Sequence, residues 1–387
     1  MLTRWLVRRF VESPDEVGRP LVRKSYGVLE GWVSVAVNLL VFAVKFVPGV
    51  LIGSIALVAD AFHSLGDVLS SGVIIWGFKA AARPSDSRHP FGHGRMENVA
   101  TLVIGILLFV AAWEFGQNSV IRLYEPRPVH SSALLIAVLA LTMVAKEWLS
   151  RFARTLATRI HSSALEGDFL HHRSDVLATA VVIVSLLATN QGWHWVDGVG
   201  GLVIAAFIAA AAFKLTSDSI NPLIGEAPSP GVIDEIRRAA MSVPEVDDVH
   251  DLTVHSYGGA VAISLHIEIT CDLDLTRAHD VAEAVESALN ERFGGASVVH
   301  IDPVNRAHPL YQPVRQFLDQ LLPAVPGATG FHDLRIVGSD EPCYVILDLE
   351  AETEQAQGAA SRVRSEVAGR FPAVAKVVVN LEPRYVY

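Results

Sequence analysis

The sequence predicts a membrane α-helical domain with six transmembrane helices, followed by a water-facing α+β domain. Hydrophobic residues make up 51% of the 387 residues and charged residues 19%, whereas about a quarter of an ordinary globular chain is charged. Nearly all long apolar runs lie between residues 31 and 215, and residues 216–387 have the composition of an acidic soluble domain. We therefore expect a membrane half and a water-facing half.

Charge and cysteine content argue against other classes. The net charge of -10 makes nucleic acid an improbable partner, since phosphate binding requires basic patches. The two cysteines, Cys271 and Cys343, both lie in the polar half, so no disulfide framework is expected. The start of the chain, MLTRWLVRRF, lacks the apolar core and cleavage site of a signal peptide. The first hydrophobic helix is expected to act as the membrane anchor.

Six apolar segments are long enough to cross a bilayer, which takes about 20 helical residues. The second and fifth carry charges at their centres, which makes them poor spans by hydropathy alone. The predicted spans are 30–50, 54–81, 98–121, 131–155, 160–188 and 192–215.

Lysine and arginine in the loops predict the orientation. The amino-terminal segment 1–29, the second-to-third loop and the fourth-to-fifth connection are rich in arginine, and the opposite loops are poorer. Six spans then place both termini on the cytoplasmic side. We expect a cytoplasmic segment 1–29, a transmembrane domain 30–215 and, without organelle features, a bacterial inner membrane as the location.

The second and fifth spans carry the same costly pattern, Asp-x-x-His-x-x-x-Asp. Its members are Asp60, His63 and Asp67 in the second span, and Asp168, His171 and Asp175 in the fifth. Offsets of three and seven place each trio on one helix face. An ionisable group at bilayer depth costs roughly 2.5–3.5 kcal/mol, so two such trios require compensation.

A shared divalent cation would compensate these groups. His63, Asp67, His171 and Asp175 offer two nitrogens and two carboxylates, a set that suits tetrahedral zinc. The alternative is that the groups only hydrogen-bond one another and stabilise helix packing. Asp60 and Asp168 are accessory candidates that could position ligands or serve the ion path, and His172 is interpreted as a neighbour.

The loop after the second span and the tail carry further candidates. In the loop, Asp86, His89 and His93 occupy a short, turn-rich stretch that is either a metal site or polar surface. The tail alternates helical and strand patterns in the order α-β-β-α-β over residues 219–304, which predicts a small two-layer domain.

With its six spans, its paired His-x-x-x-Asp motifs and a tail of this kind, the chain resembles the cation diffusion facilitator family over residues 25–304. The resemblance implies export of zinc and related dications in exchange for protons, by a homodimer whose tail domains are ferredoxin-like (metallochaperone-like). A histidine at position 63 resembles the zinc-preferring members. Competition of protons and metal for the same side chains gives the exchange a physical basis.

The resemblance also implies accessory sites. The run HPFGHGR, which contains His89 and His93, is similar to a family loop that binds a second zinc, and Arg95 takes the place of a basic residue that joins membrane and tail regions, with Glu226 as a candidate partner. In the tail, the positions that match the family's zinc ligands are His250, His266, His279, His300 and Asp302.

Residues 308–387 are predicted to repeat the tail domain in degenerate form. Aligning the strands pairs His332 with His250, Asp348 with His266, Asn380 with His300 and Glu382 with Asp302. Because most nitrogen ligands are lost, we predict a structural or dimer-extending module that binds zinc weakly or not at all.

Two other functions remain as alternatives at this stage. One is a membrane zinc-dependent enzyme, for which Asp60 or Asp168 could serve as a base, although the chain has no HExxH motif. The other is a zinc-sensing receptor or scaffold, which explains two buried ionisable trios poorly. No GxxxxGK[ST] phosphate loop supports ATP as an energy source.

Overall fold

The computed structural model describes residues 2–51, 55–125, 133–189, 193, 195–258, 260–338, 342–352 and 354–382. The chain divides into two compact units. The first consists of Met1–Glu226 with Tyr257–Gly259, and the second of Ala227–Ser256 with Ala260–Tyr387.

The first unit is helical. Five of its helices, among the residues described, are long and apolar enough to cross a membrane: α2, α4, α5, α6 and α7. The sixth long helix, α3, carries Asp60, His63 and Asp67. The helices are α1 (Leu2–Phe10), α2 (Pro20–Leu51), α3 (Ile55–Ala81), α4 (Met96–Tyr124), α5 (Ala133–Ile160), α6 (Ser163–Thr189) and α7 (Trp195–Ile224).

Helices α2 and α7 extend furthest beyond the predicted spans. Helix α2 begins at Pro20 rather than at residue 30, and α7 continues to Ile224 rather than ending at 215. Hydropathy detects only the apolar stretch, whereas the helical backbone continues through polar turns. No helix was predicted over Leu2–Phe10, yet Val7 of this short helix is buried in the core of the unit.

Small residues bring neighbouring helices close together. Gly27 of α2 faces the ring of Phe78 on α3, and Gly77 of α3 faces Ala100 on α4, so closely that neither glycine has space for a Cβ atom. Such contacts are typical of helix packing in membranes.

The second unit contains two three-stranded sheets of the same topology. In each, the first two strands pair antiparallel, the last two pair parallel, and a helix connects the parallel strands. The first repeat is α8 (Pro230–Met241), β1 (Asp248–Ser256), β2 (Val261–Thr270), α9 (Leu275–Phe293) and β3 (Gly295–Val304). The second is α10 (Tyr311–Leu321), β4 (Ala328–Val337), β5 (Cys343–Ala351), α11 (Ala356–Arg370) and β6 (Val374–Glu382).

The same irregularity marks the first strand of both repeats. A register shift follows His250 in β1 and His332 in β4. The next residues, Asp251 and Asp333, have positive φ angles of 50° and 48°, a conformation that aspartate tolerates better than most side chains. The observed fold is thus a helical membrane domain followed by two small α+β layers, and the predicted fold class is confirmed.

Candidate metal centres

Three of the four predicted transport ligands meet inside the helical unit. Asp67 on α3 is 4% exposed, and its Oδ1 lies 3.2 Å from Nε2 of His171 on α6. Asp175 follows His171 by one turn on the same helix. The fourth residue, His63, lies one turn before Asp67 and has an exposed side chain. The buried contacts of this group are therefore made by Asp67, His171 and Asp175.

A lysine that sequence reasoning missed lies at the centre of this group. Nζ of Lys146, on α5, donates hydrogen bonds to Oδ2 of Asp67 at 2.7 Å and to Oδ2 of Asp175 at 2.8 Å. The lysine side chain is 6% exposed. The sequence signal was available, because an isolated lysine within an apolar span is costly and usually functional.

The accessory candidates have partners of their own. Asp60 lies 2.9 Å from Nζ of Lys45 on α2. Asp168 is fully buried, with one oxygen 3.1 Å from Nε2 of His172. His172, interpreted from sequence as a neighbour, is therefore part of a buried group. Arg95 donates to the carbonyl of Leu223 at 3.5 Å.

The loop candidates converge as the sequence suggested. One donor atom from each of Asp86, His89 and His93 lies within 4.8 Å of the others. Backbone N–H groups of His89 and Arg88 both donate to Oδ1 of Asp86 at 2.8 Å. These hydrogen bonds lower the pKa of Asp86, so its carboxylate is available to a cation.

The tail candidates form a row across the first sheet. His250 pairs in register with His266, and His266 with His300. Oδ2 of Asp302 lies 2.9 Å from Nδ1 of His266 and 3.4 Å from Nε2 of His250, and its Oδ1 lies 3.6 Å from Nε2 of His300. His279 lies on α9 rather than on the sheet, and its side chain is exposed.

The ionised carboxylate and the unsatisfied imidazole nitrogens of this row fit a metal site, and at His266 a metal would compete with a proton. Burial raises the pKa of Asp302, but His250 and His266 outweigh burial and hold it well below its usual range. The hydrogen bond to Asp302 raises the pKa of His266. Both ring nitrogens of His250 are buried without a hydrogen bond among the described residues. Unsatisfied nitrogens beside an ionised carboxylate are suited to bind zinc.

The second repeat packs against this row. Nε2 of His332 lies 3.2 Å from Oδ1 of Asp251, and the His332 ring lies 5.0 Å from that of His250. Nη1 of Arg335 lies 3.6 Å from Oδ1 of Asp302. The corresponding row of the second sheet keeps one imidazole, His332, and has Asp348 and Asn380 in place of the other two.

In the second sheet, register aligns Asp348 with both His332 and Asn380. Nδ2 of Asn380 donates to Oδ1 of Asp348 at 2.6 Å. The Asn380 amide thus hydrogen-bonds the Asp348 carboxylate, whereas the first sheet has the imidazole of His300 at the position of Asn380. Glu382, the match of Asp302, ends β6 beside Glu350. The prediction that this repeat binds zinc weakly or not at all stays a prediction.

Together, a helical membrane domain with buried carboxylates and imidazole and an α+β tail with a histidine row define a membrane transporter of metal cations. Residues 31–224 match the family model described as the cation efflux transmembrane domain, and residues 228–304 match that of the cation efflux protein cytoplasmic domain. The chain belongs to the cation efflux, or cation diffusion facilitator, family, and the predicted resemblance is confirmed. It is a multi-pass membrane transporter, not an enzyme.

Curated relatives agree with this assignment. An uncharacterized transporter of Methanocaldococcus jannaschii is 33% identical over 291 residues, which cover 75% of this chain and 99% of the relative. The cation-efflux pump FieF of Salmonella choleraesuis is 28% identical over 286 residues, covering 73% of this chain and 95% of the pump. The FieF pump of Salmonella schwarzengrund is 30% identical over 252 residues, covering 65% and 84%.

Proposed function

We propose that this transporter exports Zn²⁺, and related divalent cations, from the cytoplasm in exchange for protons by alternating access. The observation that carries the proposal is the convergence of Asp67, His171 and Asp175 around one buried ammonium group. In this arrangement two carboxylates face a single positive charge at hydrogen-bond distance. A cation-efflux pump requires a buried position of this kind, where negative ligands can receive a cation.

The donor types favour zinc. Imidazole nitrogen and carboxylate oxygen are both common zinc ligands, and the predicted fourth ligand, His63, lies one turn from Asp67 on α3. Cobalt, cadmium and iron use similar ligands, so the site supports a range of dications around a zinc preference. Entry of the metal would require Lys146 to leave the two carboxylates.

Proton exchange follows from the same groups. Metal binding requires neutral imidazole and ionised carboxylate, so protons and metal compete for His171, Asp67 and Asp175. A transporter that presents this site alternately to each side of the membrane can couple inward proton movement to outward metal movement. We place both termini on the cytoplasmic side of a bacterial inner membrane, in agreement with the arginine-rich loops.

The loop and tail clusters are proposed to bind structural or regulatory zinc. In the loop the ligands are Asp86, His89 and His93. The match of residues 228–304 to the cytoplasmic domain of cation efflux proteins supports a homodimer assembled through the tail. The proposed tail ligands are His250, His266, His279, His300 and Asp302.

The transport proposal is tested with purified protein in proteoliposomes loaded with a zinc-sensitive dye. We expect zinc uptake driven by an outward-directed proton gradient, and loss of that uptake in Asp67→Asn and Asp175→Asn. Glu147→Gln is the matched control, because Glu147 is adjacent to Lys146 on α5 but pairs with Arg151 and Arg173. Unchanged flux in the two aspartate variants would contradict the proposal.

A further inference from the structure

A second group of ligand-type side chains is buried in the helical unit and has no role in the proposed transport site. Glu30 of α2 and Asp168 and His172 of α6 are each 0% exposed. One donor atom from each lies within 4.8 Å of the others. We infer that Glu30, Asp168 and His172 form a second divalent-cation site in the membrane domain, distinct from Asp67 and Asp175.

The hydrogen bonding of this cluster is incomplete. Five buried atoms of the cluster have no hydrogen-bond partner among the described residues. They are both carboxylate oxygens of Glu30, both carboxylate oxygens of Asp168, and Nδ1 of His172. Buried polar atoms are almost always satisfied, and five unsatisfied atoms in one cluster indicate a missing partner. They include four carboxylate oxygens, which accept and cannot donate when ionised.

Within the described part of the chain, the carboxylates of the cluster form no ion pair with a lysine or arginine. Two adjacent carboxylates at membrane depth require positive charge. Among the described residues, the buried lysines of the helical unit pair with other carboxylates, Lys45 with Asp60 and Lys146 with Asp67 and Asp175. In the ion pair that Asp168 forms among the described residues, its Oδ2 lies 3.1 Å from Nε2 of His172. A divalent cation would neutralise both carboxylates at once.

The donor set defines the class of cation. Two carboxylates and one imidazole suit zinc, manganese or iron(II) rather than a monovalent ion. Ser34 adds a hydroxyl beside the cluster, since its Oγ lies 3.0 Å from Nε2 of His172. Neutralisation by protons alone is the competing explanation, and the experiment below separates the two.

A chain of serines joins the second site to the transport site. Oγ of Ser71 donates to Oγ of Ser34 at 2.8 Å and also lies 3.3 Å from the carbonyl of Asp67. Asp168 precedes Asp175 by about two turns of α6, toward the end of the bundle at which α3 ends. The site would therefore hold a cation on the path between the cytoplasm and the transport site. This role rests on the proposed function, whereas binding of the cation does not.

Metal counting tests the inference on full-length protein. Wild type and variants are dialysed against a fixed free concentration of Zn²⁺, and bound zinc per chain is measured by mass spectrometry. We expect Glu30→Gln and Asp168→Asn each to bind one zinc fewer than wild type, and Glu147→Gln to bind the wild-type number. A wild-type count in both cluster variants would overturn the inference and would favour protons as the neutralising species.

Two further measurements keep the test decisive. If Asp175→Asn binds the wild-type number of zinc ions while Glu30→Gln and Asp168→Asn each bind one fewer, the proposed transport site is contradicted and the second site is supported. The two failures are therefore distinguishable. If the cluster variants do not fold, wild-type crystals equilibrated with Zn²⁺ decide the matter by anomalous scattering. A peak between Glu30 and Asp168 supports the second site, and a peak at Asp175 with none at Glu30 overturns it.

Discussion

The amino group of Lys146 donates a 2.7 Å hydrogen bond to Oδ2 of Asp67, from a different helix and within the buried part of the membrane domain. The same nitrogen contacts Asp175 at 2.8 Å. A cation that binds both carboxylates must displace the lysine, so at the proposed transport site the lysine competes with the cation. This competition yields the first two predictions.

Replacing the lysine should strengthen metal binding. In Lys146→Met the carboxylates lose their tethered ammonium, and we expect the zinc Kd of the transport site to fall about tenfold, or about 1.4 kcal/mol. Zinc titration in a background of Asp86→Ala, Asp302→Ala and Asp168→Asn isolates this site from the loop, tail and second membrane sites. Lys79→Met, which removes an exposed lysine at the end of α3, is the control and should leave the Kd unchanged. Weaker zinc binding in Lys146→Met would show that the lysine supports the site.

The same variant should be less stable without metal. Removing one partner of a buried ion pair leaves an uncompensated charge and typically costs about 3–5 kcal/mol. We therefore expect metal-free Lys146→Met to unfold at a lower temperature than wild type, and zinc to reverse most of the difference. Equal unfolding temperatures of the two metal-free proteins would contradict the ion pairing.

The tail should show opposing effects of pH and zinc. The pKa of His266 is raised by its hydrogen bond to Asp302, so His266 stabilises the folded tail below the ordinary histidine pKa of about 6.5. With chelator present, this contribution is lost as pH rises through the raised pKa. We expect the unfolding temperature of the metal-free protein to decrease as pH rises above about 6.5, and His266→Gln to reduce this decrease. Zinc should bind more tightly at the higher pH, because it replaces the proton.

The second repeat should support the tail site of the first. His332 contacts Asp251, whose Oδ2 lies 3.7 Å from Nδ1 of His266. Loss of a residue that orients metal ligands typically reduces affinity by about tenfold or more. We expect His332→Gln to weaken tail zinc binding by about this factor in calorimetry. His255→Gln, an exposed histidine of β1, is the matched control, and equal affinities in the two variants would contradict the role of His332.

Sequence reasoning predicted the candidate ligands of the helical unit because their signal lies within single helices. Offsets of three and seven residues in α3 and α6 place side chains on one face, and that relationship is readable from the chain alone. Lys146 was missed because its contacts depend on the packing of α5 beside α3 and α6. No spacing of residues within one helix predicts that packing. Glu30 was missed for the same reason, since its partners Asp168 and His172 lie on a helix distant in sequence.

The tail shows the same division. Strand patterns and turn residues predicted α8 to β3 closely, and similarity between the two repeats predicted the second sheet. The contact of His332 with Asp251 could not be predicted, because it depends on how one sheet packs against the other. The helix Leu2–Phe10 was missed because hydropathy over a long window does not detect a short amphipathic helix.

The central claim is that the buried carboxylates Asp67 and Asp175 exchange metal for protons. Its most direct test follows zinc and protons in the same proteoliposomes, with a zinc dye and a pH dye inside. The account predicts that each addition of external zinc produces zinc uptake with simultaneous proton release, that both signals vanish in Asp175→Asn, and that both persist in Glu147→Gln. Zinc uptake without proton release, or coupled uptake that persists in Asp175→Asn, would contradict it.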